Sequence, residues 1–309
     1  MRIATFRAGG RIRLGVVRDE RIVDLAHVAR VAGMDDSADE LHDMLALIAG
    51  GQEALERVIA LVVDATIEAE LPLELVELLA PIPHPSKNVF CVGRNYAEHA
   101  AESLRAVGKD VQLPPAPNIF TKAVTAINDP YGDIPFDARV STQMDWEAEL
   151  AVIIGRGGRH IPRAEAQEHV WGYTVLNDIS ARDIQNRPGM QWFLGKSLDG
   201  ACPIGPWIVT ADEIPNPRNL HLRLTINGEL KQEDTTANML FDVPAIIAEL
   251  SRVLSVEPGD IIATGTPAGV GFARTPPEFL KPGDVVETTI AEIGTMRNPV
   301  VDVTGSLEA

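Results

Sequence analysis

From Asn88 onward the chain is cut into short apolar runs closed by Gly, Pro, Asn or Asp. "NVFCVG", "ELAVIIG", "GYTVLND", "PWIVT", "LRLTI", "DIIATG" and "DVVETTI" all read as strands. Asn227-Gly228 within "LTINGELK" is a two-residue hairpin signal, and "PGD" at 258–260 and 282–284 is a turn that launches a strand. One clear helix interrupts them. Asp242 caps "VPAIIAELSRVL", with Pro244 early and Ile246, Ile247, Leu250 and Leu254 along one side. A doubly wound sheet would alternate strand and helix, so the pattern predicts a strand-rich α+β fold instead.

Upstream the texture differs. "RIATFR" and "RIRLGVVRDERIVDL" read as two strands around a Gly-Gly turn. Ser37 opens "SADELHDMLALIAG" as a capping box, with Leu41, Met44, Leu45 and Ile48 at helical spacing up to Gly50-Gly51. A second helical stretch covers about 52–67. Prolines 81, 83 and 85 in "APIPHPS" then favour extended chain. The expected division is a small N-terminal α/β domain at 1–82 and a main domain at 83–309.

The 44 acidic residues outnumber the 27 basic ones for a formal net charge of −17, which argues against nucleic-acid binding. Cys91 and Cys202 build neither a disulfide framework nor a C-x-x-C site, which fits a reducing cytoplasm. The opening residues do not read as a signal peptide, and no stretch reaches the length of a membrane span. "GKS" at 195–197 is not a phosphate loop, because Met190 stands where a Gly is required. No G-x-S-x-G elbow occurs. "GRGGR" at 155–159 lacks the third Gly of a dinucleotide fingerprint and reads as a turn.

The chemistry begins at "DWEAELA". Glu147 and Glu149 share one face of an extended strand, while Trp146, Ala148 and Leu150 face the other way. Two adjacent carboxylates are costly to bury without a compensating cation. A third, Asp178, ends the "GYTVL" strand. Together they make an all-oxygen donor set suited to Mg²⁺ or Mn²⁺; the alternative is a row of solvent-facing acids. In "GRNYAEHAAE", His99 and Glu102 are neighbours on a helix, either a base and its orienting carboxylate or a solvated pair. Lys196 follows the apolar "QWFL", so it either snorkels or stabilises a developing enolate. Gln185 lies seven residues after Asp178, and "ATGTPAGVG" offers a close-approach loop with the hydroxyls of Thr264 and Thr266.

In this order, "GRNYAEHAAE", "DWEAELAVIIG", "NDISARDIQ", "WFLGKSLDGACPIGPW", "INGELKQ" and "IIATGTPAGVG" resemble the fumarylacetoacetate hydrolase superfamily over roughly residues 85–300. The resemblance implies a mixed β-sandwich roll, commonly a homodimer, with the small N-terminal domain that many bacterial members carry. It places a divalent cation, Mg²⁺ or Mn²⁺, on Glu147, Glu149 and Asp178. It makes His99 and Glu102 the water-activating dyad and Lys196 the enolate-stabilising lysine. Gln185, Thr266 and Arg94 become substrate contacts. The additional upstream aspartate of the larger eukaryotic hydrolases has no counterpart, which points to the shorter acylpyruvate hydrolase or 2-hydroxyhepta-2,4-diene-1,7-dioate isomerase-like branch. The expected activity is metal-dependent C–C hydrolysis of a small 2,4-dioxo acid of acylpyruvate or fumarylpyruvate type. The alternatives are isomerisation or decarboxylation of hydroxymuconate-type diacids or oxaloacetate, hydrolysis of a 2,4-dioxo-3-deoxy sugar acid, and, last, a non-enzymatic metal-binding scaffold.

Overall fold

A computed structural model describes residues 1–34, 38–63, 65, 69–189 and 191–305. Every apolar run named above forms a strand, and together they build a strand-rich α+β fold of mixed sheets. The central antiparallel trio is Ala148–Ile154, Val170–Asn177 and Cys202–Thr210. Ile261–Ala263 pairs antiparallel with the first of these and parallel with Val89–Gly93, whose outer neighbour is Asn118–Lys122.

A five-stranded sheet packs over one face of the trio. Its hairpin, His221–Ile226 and Glu229–Thr235, turns at Asn227-Gly228 as the sequence predicts. Leu150, Val152, Tyr173 and Val175 meet Leu222, Ile290 and Met296 between the two sheets, together with the helix Val243–Val253, which Asp242 caps. Full burial of each such side chain contributes about 1.5–3 kcal/mol, so this interface fixes the strand register. Ala151 and Ile153 face the opposite side, into a core closed by the helices Leu25–Val31, Met44–Ala49 and Gly51–Val63. Glu147 and Glu149 continue that second face beyond the end of the apolar layer.

Two local expectations are corrected. "RIRLGVVRDERIVDL" is a hairpin of Arg11–Arg18 and Arg21–Asp24, with Asp19 in the left-handed region at φ +50°. The four charged residues at 18–21 form a turn because none of them has an apolar face to bury. The helix expected from Ser37 is a short 3-10 turn at Asp39–Leu41 followed by Met44–Ala49, whose N-cap is Asp43. Ser37 itself lies outside the described residues. The second helix is described at Gly51–Val63, and 64 and 66–68 lie outside. The N-terminal strands continue the central sheet through Arg2–Ala8, which pairs with Cys202–Thr210 across the division expected at residue 82. No helix among the described residues is long and apolar enough to cross a membrane.

Candidate metal centre and active site

Glu147 immediately precedes the strand Ala148–Ile154, and Glu149 is its second residue. Asn177 Oδ1 accepts the Glu147 backbone N–H at 3.0 Å, and Glu147 O accepts that of Asp178 at 2.9 Å. These bonds hold the two strand ends in register. They bring Glu147, Glu149 and Asp178 together, all buried, with one carboxylate oxygen from each within 4.8 Å of the others. Trp146, Ala148 and Leu150 pack on the other side, as the alternation requires.

Three buried cations surround the carboxylates. Lys196 Nζ donates to Glu147 Oε2 and Asp178 Oδ2, each at 2.7 Å. Lys122 Nζ donates to Asp178 Oδ1 at 2.7 Å and to the Ile179 carbonyl at 3.0 Å. Arg182 Nη2 lies 2.7 Å from Glu147 Oε1, while its Nε donates to Asp145 Oδ2 at 2.7 Å. Burial alone would raise the Glu147 carboxyl, but Lys196 and Arg182 outweigh it and hold the group at about 2. Glu149 receives less help: the charge of Lys196 lowers it, but it forms no ion pair with a described residue. Among the described residues, the Gly265 backbone N–H alone donates to it, at 2.6 Å. Burial first, then the charges of Asp178 and Glu147, push its carboxyl well above the ordinary range.

Counting Asp145, four buried carboxyl groups face three buried cations, so the fourth, on Glu149, has no described cation to pair with. The residues therefore fit a divalent cation: a hard, all-oxygen set in which Glu149 lacks a cationic partner.

A pocket opens beside this cluster. Arg94, His99, Glu147, Gln185, Lys196 and Thr266 line it, with Trp192, Phe120 and Phe272 as apolar walls. His99 stands on the helix Ala97–Ala106, and its Nδ1 lies 3.0 Å from Glu102 Oε1. Ser103 Oγ is 3.4 Å from either ring nitrogen. Arg94, at φ +58°, carries its guanidinium 5.3 Å from the Trp192 ring centre. Burial lowers its pKa, and it makes no ion pair with any described residue. Gln185 and Lys196 come from two one-turn helices, Arg182–Gln185 and Phe193–Lys196. A Cβ on Gly195 would lie 2.5 Å from Gln185 N, so only glycine allows this approach.

All nine predicted site residues thus gather in one region. Thr264 does not contribute a site hydroxyl, because it donates to the Leu150 carbonyl at 2.9 Å. Sequence reasoning missed Lys122, Asp145, Arg182 and Gln232. Asp145 opens "DWEAE", and Arg182 and Gln232 stand inside quoted motifs. Asp145 between Met144 and Trp146 offered a signal, whereas Gln232 in "LKQED" and Arg182 in "SARDIQ" stand beside other charged residues and offered none.

The comparisons agree with this geometry. A family model described as fumarylacetoacetate (FAA) hydrolase C-terminal matches residues 88–301. An oxaloacetate tautomerase of Bacillus subtilis is 46% identical over 229 residues, 74% of each chain. A fumarylacetoacetate hydrolase structure from psychrophilic Exiguobacterium antarcticum superposes with TM-score 0.80 at 39% identity, covering 98% of this chain and 99% of that one. A maleylpyruvate hydrolase from Sphingobium sp. SYK-6, solved with manganese(II) ion and pyruvate, gives TM-score 0.76 at 31% identity, over 98% and 99%. With a family model matched over most of its length and a fold shared with these structures, the chain belongs to the fumarylacetoacetate hydrolase family.

Proposed function

We propose that this enzyme is a divalent-metal-dependent tautomerase of a small 2-oxo diacid, with oxaloacetate the first substrate to test. The observation that carries the reading is a buried Lys196 ammonium beside three clustered carboxylates, in a pocket that also contains His99. A divalent cation held by Glu147, Glu149 and Asp178, Mg²⁺ or Mn²⁺, would supply Lewis-acid polarisation of the oxo group.

The protein's own groups divide the proton work. With Nδ1–H donated to Glu102, His99 presents Nε2 as the base for a carbon-bound proton next to the oxo group. Lys196 stabilises the enolate oxygen, and returning the proton to the other site completes the isomerisation. Arg94, held half-buried with no ion pair to a described residue, takes the distal carboxylate. The resemblance to tautomerases at 46% identity favours this reading over the C–C hydrolysis expected from sequence.

Hydrolysis of an acylpyruvate is the second reading, favoured by the intact His99–Glu102 pair and by the likeness to a maleylpyruvate hydrolase. There the same base activates water. The division at residues 82–83, the homodimer and the cytoplasmic location belong to the proposal as well. NMR of oxaloacetate and an acylpyruvate incubated with the metal-loaded protein separates the two readings. Accelerated keto–enol exchange of oxaloacetate supports tautomerisation; pyruvate plus a free acid from the acylpyruvate, without that exchange, supports hydrolysis.

A further inference from the structure

Two polar residues of the pocket can be hydrogen-bonded in only one sense. This deepens the tautomerase reading and rests on it for the ligand class. A guanidinium has no acceptor atom. Arg182 Nη1 donates to Gln185 at 2.8 Å, so the Gln185 atom facing it is Oε1. The Gln185 NH₂ must turn the other way, on a residue that lines the pocket, and no described residue accepts from it.

The same logic fixes Thr266. The Ala148 backbone N–H donates to Gln232 Oε1 at 3.0 Å, and the Pro267 carbonyl accepts from Gln232 Nε2 at 2.8 Å. Neither partner can reverse its role, so this amide cannot be flipped. The second Nε2 hydrogen reaches Thr266 Oγ1 at 2.8 Å. That oxygen accepts, and its own hydrogen is left for the pocket. Ala148 sits between Glu147 and Glu149, so the strand that carries two cluster carboxylates also anchors this arrangement.

We propose that Arg182 and Gln232 are positioning residues that lock Gln185 and Thr266 as hydrogen-bond donors. At these two positions the pocket then selects the acceptor oxygens of a small ionised oxo acid. Negative charge growing on an oxo oxygen meets donors already aimed, with no reorientation needed.

The test is calorimetric titration of the Mn²⁺-loaded protein and its variants with pyruvate, whose carboxylate and oxo oxygens can only accept. Gln185→Glu keeps the oxygen that Arg182 needs and places a second oxygen where the NH₂ stood, so an acceptor faces an acceptor and pyruvate should bind about tenfold or more weakly. Thr266→Val should weaken pyruvate by about tenfold. Gln232→Leu should do the same alone, yet add less than about twofold in the Thr266→Val background, because the hydrogen it aims is already gone. If the leucine variant does not fold, Gln232→Glu retains the acceptor for Ala148 and serves in its place. Additive losses from Gln232 and Thr266 would overturn the proposal, as would an unchanged pyruvate affinity in Gln185→Glu or in Thr266→Val. These titrations need no turnover. A protein inert towards oxaloacetate that still shows the coupling would refute the tautomerase reading and leave this proposal standing.

Discussion

The backbone N–H of Gly269 donates to both carboxylate oxygens of Glu102, at 3.0 and 3.1 Å. The same loop gives the Gly265 N–H to Glu149 and the Gly271 and Phe272 N–H groups to Asp145. One small-residue segment thus orients the dyad carboxylate, a cluster carboxylate and the partner of Arg182.

Gly269→Ala tests the first of these contacts. The residue sits at φ +105°, and an added Cβ would lie 2.3 Å from the Lys231 carbonyl. The loop must shift, at a stability cost of about 1–3 kcal/mol. Without its donor Glu102 loses its fixed position beside His99. We expect kcat to fall by roughly a hundredfold with Mn²⁺ affinity retained, both read on one preparation. A kcat within about twofold of wild type would contradict the role given to the loop.

Lys122 is a structural cation. It is fully buried on Asp178, and its removal leaves a carboxylate short of compensation in the interior. Lys122→Met should destabilise the metal-free protein by roughly 3–5 kcal/mol in denaturant titration. A loss under about 1 kcal/mol would mean that Lys196 alone satisfies Asp178.

Glu147 and Glu149 give opposite pH dependences. Glu147 is held at about 2, so its stabilisation is present above its ordinary 4.5 and lost as pH falls towards 2. Glu149 is raised, so its contribution is present below 4.5 and lost as pH rises through its folded value. The melting temperature of chelated protein should therefore decline as pH rises above the ordinary carboxyl range, and Mg²⁺ should restore it. Glu149→Gln should flatten the decline. Metal binding should also release a proton, seen as a binding enthalpy that varies with the buffer's ionisation enthalpy. A pH-independent melting temperature for the chelated wild type would contradict the unpaired state of Glu149.

The strands were legible because β-branched runs closed by Gly, Pro and Asn signal themselves locally, as at Asn227-Gly228. The clustering of Glu147 with Glu149 follows from the two-residue period of a strand. Ser37 misled because S-x-x-E is a local pattern, and the helix takes its cap at Asp43 instead. Lys122, Asp145 and Arg182 were not legible as a network. Their partners are 56, 37 and 35 residues away in sequence: Asp178 for Lys122, Arg182 for Asp145 and Glu147 for Arg182. Gln232 reaches across 84 residues to Ala148. No local periodicity encodes such contacts: the pairing of Met144–Asp145 with Ser180–Ala181 sets Asp145 beside Arg182, and the packing of one sheet on the other brings Gln232 to Ala148.

The most direct measurement is the metal-dependent rate of oxaloacetate keto–enol exchange in wild type and Glu149→Ala, with Mn²⁺ binding followed on the same samples. Glu149→Ala should keep the folded circular dichroism spectrum, lose Mn²⁺ binding and lose the exchange that the metal restores to chelated wild type. Undiminished exchange in Glu149→Ala, or in the chelated wild type, would contradict the claim that these three carboxylates hold the cation on which the reaction depends.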